Sequence, residues 1–186
     1  IMDSQLSLLF TYMLLALVVS AFCSFLEATI LSTPMSYVTT LEAQGVKGWQ
    51  LLKQYKTNID RPISAILILN TIANTVGASL VGSQAAGYAA TNFSASEETS
   101  LFVGIVSALF TLLVLVFSEI LPKTVATAYW RRFAIPVSKV IRIYIAITYG
   151  LVVLLERMTR SVSANSTQES VTRDEVAALV TVGTQE

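Results

Sequence analysis

Five side chains place oxygen where the surrounding sequence offers almost nothing but hydrocarbon: Ser20, Ser24, Asn70, Asn74 and Glu119. Ser20, Ser24 and Glu27 follow i, i+4, i+7 spacing, which puts them on one face of a helix. Asn70 and Asn74 repeat the i, i+4 spacing, and Glu119 stands in the run Ser118-Glu119-Ile120-Leu121-Pro122-Lys123. Pro122 has no N–H, so it removes the helical partner of the Ser118 carbonyl beside the acid. The resulting inventory is hydroxyl, amide and carboxylate oxygen plus a backbone carbonyl, without nitrogen or sulfur. Oxygen-only sites suit Mg²⁺, Ca²⁺ or Na⁺ and argue against zinc, copper or iron. One carboxylate against a divalent ion leaves a net positive charge, so binding is expected to be modest, as a site that must also release its ion requires.

The elements that carry these residues are set by where charge is missing. The 186 residues are 54% hydrophobic and 13% charged, against about 25% charged in an ordinary globular domain. Ser4–Leu26, Pro62–Ser96 and Thr99–Ser118 contain no Asp, Glu, Lys or Arg. A helix needs roughly 20 mostly apolar residues to cross the hydrocarbon, so each stretch qualifies as a span. This composition excludes a soluble single-core enzyme. Balanced charge, 12 basic against 12 acidic residues, gives no basic excess for nucleic acid. Zero His removes Ser-His catalysis, the single Cys removes a multi-Cys zinc site, and no Asp lies in a span to form an acid dyad. No enzyme is expected.

Charge placement orients the chain. Lys47, Lys53, Lys56 and Arg61 lie between the first two spans, and the other eight basic residues follow the third. Loops rich in Lys and Arg stay in the cytoplasm. Three crossings with the N-terminus outside put all twelve on the cytoplasmic side, with a cytoplasmic C-terminus. A fourth apolar stretch, Ile143–Leu155, is too short to span comfortably, and crossing there would export Arg157, Arg160 and Arg173. Residues 135–158 are therefore expected as a juxtamembrane helix at the inner interface. Val38–Lys56 reads as a short cytoplasmic helical region broken at Gly45 and Gly48. Residues 1–160 form the expected membrane domain. Residues 161–186 read as a polar linker, with Thr172 capping a further helix start.

Depth tests whether the polar groups can meet. At a rise of roughly 1.5 Å per residue, Ser20 and Asn74 both lie roughly 22 Å from the outer surface, and Ser24, Asn70 and Glu119 roughly 28 Å. Glu27 falls deeper, near the inner boundary, where a cytoplasmic cation or a backbone group, rather than the ion, is its expected partner. A lone serine in a span is usually a packing residue and a lone asparagine interhelical glue. An intramembrane carboxylate is a functional candidate by default. The shared level is what lifts the set above its members.

The combination Ser20-x-x-x-Ser24-x-x-Glu27, Leu69-Asn70-x-x-x-Asn74 and Ser118-Glu119-x-x-Pro122-Lys123 resembles the transmembrane domain of the CNNM/CorC family of magnesium transporters, over roughly residues 5–160. The resemblance implies an all-α integral membrane protein of the cell membrane: three transmembrane helices plus a juxtamembrane helix, N-terminus outside, assembled as a homodimer. It implies secondary-active Mg²⁺ efflux coupled to Na⁺ influx, with a largely dehydrated ion between the helices. Carried over by motif, the ligands are Ser20, Ser24, Asn70, Asn74 and Glu119, with Pro122 shaping the third helix. The tail is similar to the segment leading into that family's cytosolic tandem CBS domains, so ATP would act only through domains these 186 residues lack. The competing expectation is a Mg²⁺-sensing membrane anchor for such domains. Small residues Gly77, Ala78, Ser79, Gly82, Ala85, Ala86 and Gly87 permit a close helix contact in the dimer.

Overall fold

Uncharged stretches at least as long as the hydrocarbon is thick leave the backbone one economical choice, because every N–H and C=O must be bonded within its own segment. A computed structural model describes residues 2–93 and 95–163, and among these the chain is helix and loop without strands. The helices are α1 (Met2–Ser32), α2 (Met35–Ala43), α3 (Trp49–Thr57), α4 (Asp60–Asn92), α5 (Ser96–Leu113), a π-helical segment (Val114–Ile120) and α6 (Leu121–Ser163). Three of the resulting helical runs are long and apolar enough to cross a membrane: α1, α4 and the run that begins at α5. The 31 residues of α1 extend about 46 Å, well beyond a hydrocarbon core of about 30 Å. Residues Ile1–Val152 make one compact unit, separate from the unit that begins at Val153. Of the expected linker, residues 164–186 lie outside the described residues.

Side chains on the spans face outward in long apolar strips. Leu14, Leu15 and Val18 of α1, and Leu101, Ile105 and Leu109 of α5, are each more than half exposed. Only lipid or another protein can cover such a surface. Inside, α1 and α4 run antiparallel in close contact, and the seam is set by a missing side chain. A Cβ placed on Gly77 would collide with the Cβ of Ala16, so the two backbones approach as small residues in spans allow. Ala16, Val81 and Phe110 form a small cluster there. Gly77 thus serves the contact within one chain. Around Gly82, by contrast, a Cβ would meet nothing within 4 Å.

The larger cluster lies at the basic end. Leu26 and Ile30 of α1, Val38 and Leu41 of α2, Leu52 and Tyr55 of α3, and Ala65 and Ile66 of α4 pack together with residues of α6. Here water is the alternative to burial, and a buried leucine or isoleucine contributes about 1.5–3 kcal/mol. Between the spans the alternative is lipid, and fit rather than water exclusion decides. Gly45 and Gly48 take positive φ of 64° and 100°, the left-handed backbone that glycine adopts without steric cost. They separate α2 from α3 as expected.

The expected juxtamembrane helix starts earlier than residue 135. The backbone of α6 leaves helical dihedrals at Tyr129 (φ −116°, ψ 18°) and resumes helix to Ser163. Ala134, Val137, Ile141 and Ile145 then face the basic-end cluster, while Ile143, Ile147 and Leu151 are half exposed or more. The helix is apolar on two sides. It packs against the bundle and still offers hydrocarbon outward, as a helix between protein and bilayer must. Its Trp130 meets Tyr37 edge-on at 5.0 Å, and the Tyr37 hydroxyl donates to the Arg131 carbonyl at 3.3 Å. Tyr37 thus ties α2 to α6, and Tyr55 is buried outright.

Candidate functional site

Beside the Gly77–Ala16 contact, and one to two turns further toward the basic end, lie Ser20 on α1 and Asn70 and Asn74 on α4. The Ser20 hydroxyl donates to Asn70 Oδ1 at 2.8 Å, and Asn74 Nδ2 approaches the same oxygen at 3.5 Å. The two helices join through polar groups in the region that residue counting indicated, but Ser20 bonds Asn70 rather than Asn74, with which the counting paired it. Ser20 is fully buried and Ser24 almost so.

Two oxygens in this seam are orphans. Ser24 Oγ and Asn74 Oδ1 are buried and have no hydrogen-bond partner among the described residues. A buried polar atom without a partner costs about 1–3 kcal/mol. Serine and threonine in spans usually evade that cost by bonding the carbonyl four residues back, as Thr29 does to Phe25 and Thr33 to Thr29. Ser24 does not. An oxygen held back from its own helix at a buried site is available to something that is not protein, and a cation or water satisfies it equally well.

The third span contributes through an irregularity. Val114–Ile120 is π-helical, and the Leu121 N–H donates to the Val116 carbonyl five residues back. The sequence leads one to expect only a freed carbonyl before Pro122. Instead the ladder widens over the turns that precede the proline, and Ser118 and Glu119 sit in the widened stretch. Such single π segments are rare and frequent at functional sites. Buried Ser118 turns its hydroxyl to the Leu17 carbonyl at 2.9 Å. Because a helical carbonyl points toward the C-terminal end of its helix, this bond docks the π segment on α1 near the level of Ser20. Glu119, next in the chain, is partly buried and makes no hydrogen bond or ion pair among the described residues.

Glu27 stands apart from the seam. Its Oε2 pairs with Lys123 Nζ at 3.3 Å, both side chains being partly exposed, and such a pair contributes only about 0–1 kcal/mol. Lys123 therefore bridges α6 to α1. Cys23 is fully buried, with Tyr144 of α6 at 3.9 Å from its sulfur. No group of three or more His, Cys, Asp or Glu capable of holding a metal occurs among the described residues. A site here rests on neutral oxygens and one acid. The Ala16–Gly77 approach and the π segment were the features sequence reasoning missed. A signal for the second was present, since a proline three residues after an acid in a span asks where the ladder goes.

The orphaned hydroxyl makes a test. Ser24→Ala will leave stability without divalent ions unchanged within about 0.5 kcal/mol, or raise it, because no bond is lost. Ser20→Ala strips Asn70 Oδ1 of its short donor and will cost about 1–3 kcal/mol. Thermal unfolding of both variants in chelator measures the contrast, and equal losses would refute the placement of the two hydroxyls.

The profile of a family described as "Cyclin M transmembrane N-terminal domain" matches residues 11–186. A UPF0053 protein of Synechocystis sp. is 29% identical over 167 residues, 90% of this chain and 46% of that protein. A UPF0053 protein of Haemophilus influenzae is 33% identical over 164 residues, 86% of this chain and 36% of that protein. The chain thus spans less than half the length of the curated relatives it matches.

Proposed function

The chain belongs to the cyclin M transmembrane N-terminal domain family and is a multi-pass membrane protein; on that premise we propose that it carries Mg²⁺ across the membrane as a secondary-active transporter. The observation that supports this reading most is the pair of orphaned acceptors, Ser24 Oγ and Asn74 Oδ1, in the seam where Ser20 and Asn70 already bond. In this reading Ser20, Ser24, Asn70, Asn74 and Glu119 supply oxygen to the ion. Mg²⁺ demands near-octahedral oxygen at about 2.0–2.1 Å, which short side chains on closely packed helices can offer with little rearrangement. Asn70 Oδ1 has two lone pairs, so it can accept from Ser20 and turn the second pair to the ion.

Glu119 supplies the only formal charge. Four neutral oxygens and one carboxylate hold a divalent ion without neutralising it, which keeps release possible. Protein oxygens replace some or all of the hydration shell, and the direction is export with Na⁺ influx as the driving flow. The N-terminus lies outside and the basic end in the cytoplasm, by the distribution of Lys and Arg. The chain works as a homodimer and moves its ion without catalysing a reaction.

The experiment is flux. Protein reconstituted in liposomes with a trapped Mg²⁺ dye will move Mg²⁺ down its own gradient, and faster when an opposed Na⁺ gradient is imposed. No flux under either gradient, from protein still stabilised by Mg²⁺, would overturn transport and leave the reading of a Mg²⁺-sensing anchor.

A further inference from the structure

At the basic end, away from the seam, a cavity of about 340 Å³ opens between α3, the start of α4 and α6. Leu51, Gln54, Tyr55, Arg61, Arg142 and Ile145 line it. Unlike the groove between α1 and α4, which is walled almost wholly by hydrocarbon, this cavity gathers two guanidinium groups, a phenol and an amide. Arg61 lies over the ring of Tyr149 at 5.7 Å. Tyr55 is 6% exposed, and its hydroxyl makes no hydrogen bond among the described residues. Burial pushes that phenol's pKa up, while the charges of Arg142 and Arg61 pull it down, so both cations act on one buried donor.

The two arginines also mark a level. Arg61 is the last charge before the uncharged stretch that begins at Pro62, and Arg142 the last before Ile143–Leu155. Guanidinium groups at the two points where hydrocarbon begins stand at headgroup height. Beyond them α6 offers exposed Ile143, Ile147 and Leu151, the apolar surface against which acyl chains lie. Arginine's planar fork matches phosphate oxygens two at a time, and basic pockets between helices at this depth take anionic headgroups.

We propose that this cavity binds the phosphate group of an anionic phosphoester, delivered as the headgroup of an anionic phospholipid in the adjoining leaflet. Arg142 and Arg61 hold the phosphate oxygens, the Tyr55 hydroxyl and Gln54 amide donate to them, and the exposed strip of α6 seats the tails. The site clamps α3, α4 and α6 together at the basic end. It is independent of the Mg²⁺ reading and is tested in chelator.

Protein purified in neutral detergent is unfolded thermally with phosphatidylglycerol, phosphatidylcholine or glycerol 3-phosphate added. Phosphatidylglycerol will raise the midpoint and phosphatidylcholine will not. Arg142→Gln and Arg61→Gln will each weaken the apparent affinity about fivefold, and Arg142→Lys will restore part of it. Lys47→Gln, which removes an exposed cation outside the cavity, will change nothing. Arg142 is itself exposed, so its variants keep the fold. A shift of equal size from glycerol 3-phosphate would support the same chemistry with a soluble source. Equal shifts from both lipids, or an Lys47→Gln variant as weak as Arg142→Gln, would overturn the assignment.

Discussion

Glu119→Gln will abolish the rise in thermal stability that Mg²⁺ confers, while leaving the ion-free protein almost unchanged. Without ion, the Glu119 carboxylate has no hydrogen bond or ion pair to lose among the described residues, and an isosteric amide in a partly exposed position shifts stability by no more than about 0.5 kcal/mol. With ion, the comparison reverses. On the proposed reading, Mg²⁺ at about 100 times its dissociation constant will stabilise the wild-type chain by about 2.7 kcal/mol, provided the unfolded chain does not bind it. Removing one partner of a buried charge pair costs about 3–5 kcal/mol, a loss in affinity of more than about 100-fold. At the same ion concentration the variant then keeps less than about 0.5 kcal/mol of the effect. Unfolding midpoints across a Mg²⁺ series, wild type beside variant, give the answer directly. If Glu119→Gln kept the full shift, the ion would be held by neutral oxygens alone and the acid would have some other task.

What was legible in the sequence follows from how local each signal is. The spans could be read because an uncharged run long enough to cross a bilayer permits helix and little else. The breaks at Gly45 and Gly48 were legible because the left-handed backbone there has a residue-level signature. Counting residues at a fixed rise brought the polar groups of α1 and α4 to one region but paired Ser20 with Asn74 and Ser24 with Asn70, whereas the short bond joins Ser20 to Asn70, about one turn off that register. Other features needed knowledge of the neighbour. Gly77 is visibly small, but nothing in the sequence says that its gap is filled by Ala16. Pro122 announces a disturbed ladder, though not that the repair is a π segment beginning at Val114. The inward face of α6 was hidden because Ile141, Ile143, Ile145 and Ile147 are the same residue type. Only the packed structure says that Ile141 and Ile145 face protein while Ile143 and Ile147 do not.

Because the seam depends on a missing side chain, the second large effect is expected at a residue that touches no ion. Gly77→Ala will destabilise the chain and erase the Mg²⁺ response, and Gly82→Ala on the same helix will do neither. Replacing glycine by alanine in a helix interior gains about 1 kcal/mol of propensity in either place. At Gly82 nothing opposes that gain, since the added methyl meets open space. At Gly77 the methyl collides with Ala16 Cβ, an atom fixed to its backbone, so relief comes only by moving the two helices apart. Overpacking of this kind costs about 1–3 kcal/mol, and the propensity term cancels when the two variants are compared. Separation also acts at the site. The Ser20–Asn70 bond at 2.8 Å lies one to two turns further along the seam, and a hydrogen bond stretched past about 3.5 Å is lost. Midpoints of both variants in chelator isolate the packing cost, and the same midpoints with Mg²⁺ isolate the effect on the site. The rescue is specific: Ala16→Gly added to Gly77→Ala vacates the space the new methyl needs and will recover most of both losses. A Gly77→Ala protein that responds to Mg²⁺ as wild type does, or a double variant no better than the single, would mean that the close approach of α1 and α4 does not position the oxygens.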